Sequence, residues 1–185
     1  MITRSVEKGY DMKTECYSSS CNPLSVIKSD FDLLNMADEV ADKVKGHTAE
    51  SARRLFIACV AFLRDWFPKS DFSICGVETL LSLALMQGKY DTNVNFQFRK
   101  TPLDLLFLEL ETGKHLAYDS RGISTEKSTF YRTYDGLRPA DIGGLKPGTD
   151  TALSFYHLWL RSGTPQTIER SIYDCIGAVA GLGLY

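Results

Sequence analysis

The chain has 185 residues, with 21 Lys and Arg against 23 Asp and Glu and a formal net charge of −2. A total so close to zero gives no support to a protein that coats nucleic acid through bulk charge, although a local basic face stays open. Hydrophobic residues make up 44% and aromatic residues 11%, a globular composition that excludes disorder over most of the chain; the length suits one domain with a normal core. The first 20 residues carry charges throughout and no apolar run, and no window of 18 residues is apolar, so neither a secretory leader nor membrane insertion is expected. Five cysteines stand at 16, 21, 59, 75 and 175, an odd and scattered set that fits reduced thiols in a cytoplasmic protein.

Taken in chain order, residues 1–28 read as an extended lead-in, with a short strand expected near 10–16, where "YDMKTECY" alternates weakly. A helix follows, started by Ser29 or Asp30 and carrying the stripe Leu33, Leu34, Ala37, Val40, Ala41, Val44, with Gly46 as its stop. A second helix spans about 48–66, its apolar face formed by Ala52, Leu55, Phe56, Cys59, Phe62, Leu63 and Trp66, and Pro68 ends it. A third runs over about 73–87 with Val77, Leu80, Leu81, Ala84 and Leu85 inward; Gly76 weakens its first turn by about 1 kcal/mol relative to Ala. Residues 90–98 read as a loop or a short strand. Thr101-Pro102 is a capped helix start, with Leu103, Leu106, Phe107 and Leu110 facing the core and Gly113 closing the helix. From 114 to 149 periodicity fails, and a loop of that length is functional or disordered more often than it is a plain connection. Residues 150–182 read as a helical pair, one helix with Leu153, Tyr156 and Leu160 on one face, then Thr164-Pro165 opening a last helix with Ile168, Ile172, Cys175, Ile176 and Val179. The expectation is a single mainly α domain: a compact bundle of about six helices with a short N-terminal strand or extended segment and one long loop.

Catalytic and metal motifs are weak. "GGLKPGTD" at 143–150 lacks the Gly-Lys-Ser/Thr ending a phosphate-binding loop needs, and "GAVAGLG" at 177–183 ends a helix instead of opening one after a strand. Cys16 and Cys21 have no second Cys/His pair at zinc spacing, and His47, His115 and His157 stand alone. Glu109 and Glu111 lie two apart on a helix and point in different directions, while Asp38, Glu39 and Asp42 read as a polar helix face. No catalytic residue, metal or cofactor is therefore expected.

The most informative stretch is "YDSRGISTEKSTFYRTYDGLRP". Tyr118, Phe130, Tyr131 and Tyr134 alternate with Arg121, Lys127, Arg132 and Arg138, a pattern suited to nucleic acid or to an acidic protein surface. Asp119, Glu126 and Asp135 dilute the charge, so a plain structured loop and a binding loop both stay open. Arg121, Lys127, Tyr131, Arg132, Tyr134 and Arg138 are the candidate partner-binding residues.

The order of elements resembles an internal segment of TraG-type coupling proteins, the DNA-translocating ATPases of conjugative type IV secretion. "GYDMKTECYSSSCNPLSVIKSDFDLLNMADEV" at 9–40 is similar to the family's short strand, Asn-Pro turn and acidic helix. "FLRDWFPKSDFS" at 62–73 resembles its helix ending in Ala-Pro followed by Asn-Phe-Ser, and "TPLDLLFLELE" at 101–111 resembles "NPVDLLFEELE". "FYHLWLRSGTPQTIERSIYDCIGAVAGL" at 155–182 is similar to a late family region in which Gly-Lys-Thr often stands where Gly163-Thr164-Pro165 stands here. The resemblance covers roughly 9–182. It implies the all-α domain of such a protein, lying between two nucleotide-binding motifs that this sequence lacks, with the stretch 114–149 in place of a shorter connection. Without both the phosphate cradle and the magnesium ligand no ATPase is expected.

The function expected is that of a non-enzymatic mobile-element protein that binds a DNA-handling protein or a protein–DNA complex. The partner would be the transfer machinery or a host defence nuclease, with DNA contact open and the oligomeric state undetermined by sequence. Two alternatives accompany it: an inhibitor of a host CRISPR-Cas nuclease, and a fragment that completes a coupling ATPase in trans.

Overall fold

The computed structural model describes residues 22–67, 69, 71–86, 101–112, 117–119, 122–124 and 151–182. Within them a 3-10 turn at Pro23–Val26 leads into six helices: α1 (Asp30–Lys43), α2 (Ala49–Trp66), α3 (Ile74–Leu85), α4 (Pro102–Thr112), α5 (Thr151–Leu160) and α6 (Pro165–Ala180). The mainly helical expectation holds. The strand expected near 10–16 and the loop or strand near 90–98 lie outside the described residues.

One correction falls inside the stretch read as loop. Ala117–Asp119 (β1) and Gly122–Ser124 (β2) pair antiparallel, Tyr118 opposite Ile123 and Asp119 opposite Gly122. Helical periodicity and long alternation are both absent there, but strands of three residues are too short to show a period.

The sequence-read helix starts are chemically explicit. Ser29, not Asp30, caps α1: its Oγ accepts from the Asp32 backbone N–H at 3.2 Å, and the Asp32 carboxylate accepts from the Ser29 N–H at 2.9 Å, a reciprocal capping box. Ser73 Oγ accepts from the Gly76 N–H at 3.1 Å at the start of α3. Thr101 and Asp104 form the same reciprocal pair at α4, and Thr164 Oγ1 accepts from the Thr167 N–H at α6. Thr48, at the start of α2, differs: its hydroxyl donates to Asp174 on α6 at 2.6 Å and leaves its own helix uncapped. Gly46, with φ at +121°, supplies the left-handed residue in the connection from α1 to α2.

α2 is the axis of the bundle. The sequence pattern suggested one apolar face, but all nine residues from Leu55 to Leu63 have no exposed surface, including Ile57, Ala58, Val60 and Ala61. A helix apolar on every side has to be surrounded, and α1, α3, α5 and α6 all pack on it, while α4 packs outside on α3 and α5. Arg53 meets Asp38 at 2.6 Å and Arg64 meets Asp30 at 2.7 Å, so α1 runs antiparallel to α2. α5 does likewise: Thr151 sits by Asp30 at the α2 C-terminal end, while Leu158 and Ser162 meet Arg54 and Ser51 near its start.

A run of aromatic contacts ties the outer helix inward. Phe62 meets Phe67 edge-on at 5.0 Å and Phe107 at 4.9 Å, and Phe107 stacks on Tyr156 at 4.0 Å. Tyr156 also donates its hydroxyl to the Asp104 carboxylate, and Trp159, 1% exposed, donates Nε1–H to Ser171 at 2.9 Å. Tyr and Trp are thus buried with their polar atoms partnered. Asn22 fixes the entrance: its amide donates to the Phe72 carbonyl at 2.6 Å and its Oδ1 accepts from the Leu24 N–H, seating Leu24 fully in the core.

Gly76 proves to be a close-approach residue. A Cβ there would stand 2.1 Å from the Asp71 carbonyl oxygen, which already accepts from the Ser73 N–H at 2.8 Å. Gly76→Ala is therefore expected to destabilise the protein by about 1–3 kcal/mol despite alanine's better helix propensity, read as a lower urea midpoint at unchanged slope. Phe62→Ala, which empties the junction of α2 with Phe67 and Phe107, is expected to cost about 3–5 kcal/mol in the same measurement.

Candidate functional site

Arg121, Lys127, Tyr131, Arg132, Tyr134 and Arg138 lie outside the described residues, as do Cys16, Cys21, His115 and the "GGLKPGTD" stretch. What the structure places around them in the chain is a frame of β1 and β2, on either side of Arg121, and the first turn of α5, after Arg138.

The α5 end of this frame is a polar junction of three helices. Thr151, the first residue of α5, donates its hydroxyl to Asp30 Oδ2 at 2.9 Å. Asp30, the first residue of α1, receives Arg64 Nη2 from the last turn of α2 on its other oxygen at 2.7 Å. Arg64 in turn grips Asp65 with Nε at 2.6 Å and Nη2 at 3.0 Å. The hydrogen bond from Arg64 holds the Asp30 carboxyl below its ordinary value of 3.8, with Thr151 acting in the same direction and desolvation opposing. Asp65 and then Asp30 hold the guanidinium more firmly protonated. Sequence reading had Asp30 only as a cap; its partner 34 residues on was invisible to it.

Beside this junction lies a cleft of about 220 Å³ between α1 and α5, floored by Ile57 of α2 and walled by Leu33, Leu34 and Phe155. Phe31, 70% exposed, stands on the same helix. A larger open cleft of about 620 Å³ lies at the other end of α1, where Asn22, Pro23, Met36, Glu39, Asp42, Lys43 and Leu182 line it. Of the acidic α1 residues, Asp38 is the ion-pair partner of Arg53, and Glu39 and Asp42 are exposed on the helix face, as the spacing suggested.

The remaining chemistry-bearing residues take structural positions. Among the described residues there is no group of three or more His, Cys, Asp or Glu that could hold a metal. Cys59 and Cys175 are free and fully buried, and burial pushes both thiols up, away from the thiolate a nucleophile needs. His157 lies 3.5 Å from Glu111 across the α4–α5 boundary, at the surface. The side chain of Glu109 lies outside the described residues. Gly177 and Gly181 occur at the end of α6, so that part of the "GAVAGLG" run terminates a helix. Thr164-Pro165 opens α6 as a cap followed by proline in the first turn. Among the described residues no helix is long and apolar enough to cross a membrane.

No protein-family model, no curated protein and no solved structure matches this chain.

The junction predicts a pH dependence. Because the folded-state carboxyl of Asp30 is depressed, its stabilising effect is present above the ordinary carboxylate value and is lost as pH falls from there through the lower folded-state one. Urea midpoints measured from neutral pH down to about pH 3 should fall less steeply for Asp30→Asn than for the wild type, the two curves converging at acid pH. As Asp30 is half-exposed, the gap at neutral pH should stay at or below about 1 kcal/mol.

Proposed function

We propose that this protein is a non-enzymatic binding module of a mobile genetic element, related to the all-α domain of TraG-type coupling proteins, and that it docks on a DNA-handling protein or on that protein's complex with DNA. The observation that carries the reading is the basic-aromatic run at 121–138, which in the chain begins between β1 and β2 and precedes α5. Arginine and tyrosine are the residue types that anchor protein interfaces, since they bring large contact area and planar hydrogen bonding at modest entropic cost. The bundle supports the reading from the other side. Its buried polar groups, Thr48, Ser51, Thr101 and Ser171, are spent on helix-to-helix and capping bonds. The described thiols that are fully buried are held away from the reactive form.

In this reading Arg121, Lys127, Arg132 and Arg138 meet carboxylates or phosphates of the partner, and Tyr131 and Tyr134 supply the apolar contact between them. Resemblance to a transfer ATPase makes the transfer machinery the first partner to try. A CRISPR-Cas nuclease is the second, with inhibition of cleavage as its readout.

The test is co-elution and titration of the purified protein with the coupling ATPase and relaxase of its own element, with and without DNA, alongside nuclease cleavage assays. Arg132→Ala combined with Arg138→Ala is expected to weaken partner binding by tenfold or more while leaving the urea midpoint unchanged, because interface anchors of this kind each contribute about 1 kcal/mol or more. If the partner surface is DNA, affinity should also fall steeply with salt. Binding that is unaltered by the double substitution would overturn the assignment of this run as the contact. A stimulated ATPase rate on mixing would favour completion of the ATPase in trans.

A further inference from the structure

We draw no further inference here: the strongest candidate, the open cleft of about 620 Å³ between the 3-10 turn, the acidic face of α1 and the end of α6, has an apolar floor rimmed by Glu39, Asp42 and Lys43, and nothing in the structure shows what covers it.

Discussion

Complete burial of the central stretch of α2 is the constraint from which the rest of the architecture follows. Leu55 to Leu63 is an uninterrupted apolar run, and each large side chain in it contributes roughly 1.5–3 kcal/mol only if it is removed from water. A single helix cannot hide such a run by itself, nor can one partner, because successive residues point in directions about 100° apart. Four neighbours are required, and α1, α3, α5 and α6 supply them. Each of those neighbours turns an apolar face to the axis, and α3 buries a wider surface because it also meets α4 and α6.

Specificity of arrangement comes from polar groups at the two ends of that axis. Arg64 at the C-terminal end collects Asp65 and the start of α1, which in turn holds the start of α5. Near the N-terminal end, Thr48 bonds to Asp174 of α6, Ser51 meets Ser162, and Arg53 meets Asp38 of α1. Hydrophobic burial is non-directional and would tolerate several helix orders. Hydrogen bonds with fixed geometry at both ends favour one of them, and a buried donor such as the Thr48 hydroxyl left unpaired in an alternative packing would cost about 1–3 kcal/mol. α4 is attached by a different device, the stack of Phe107 on Tyr156 with the Tyr156–Asp104 bond beside it. Asp104 thus serves both its own helix start and the contact with α5.

This arrangement bears on function through separation. Cys59 and Cys175 are sealed in the core, while the charged and aromatic residues proposed for partner contact belong to the stretch 121–138, between the end of β1 and the first turn of α5 in the chain. The Thr151–Asp30–Arg64 chain of contacts fixes the first turn of α5 against the start of α1 and the end of α2.

Much of the helical framework was legible in the residues. The starts at Ser29, Ser73, Thr101 and Thr164 are local chemistry, a hydroxyl and the backbone N–H groups that follow it, and local chemistry can be read along a chain. The inward faces of α4 and α6 were legible for the same reason, as periods within one element. The all-round burial of α2 was hinted at by its unbroken apolar run, yet a period count registers one face and cannot register how many neighbours arrive. The β1–β2 hairpin escaped because three-residue strands are shorter than any detectable period. The basic-aromatic run was visible as a pattern, whereas the contacts joining Asp30, Arg64 and Thr151 were not, since those residues stand far apart in the chain. The amino-acid sequence by itself determined where helices begin, which residues are apolar enough to be buried and where charge and aromatic rings interleave. Tertiary structure alone decided which helix lies at the centre, that Gly76 is required by the Asp71 carbonyl and that Asp30 bridges two other helices, because each depends on distances between elements that no local pattern encodes.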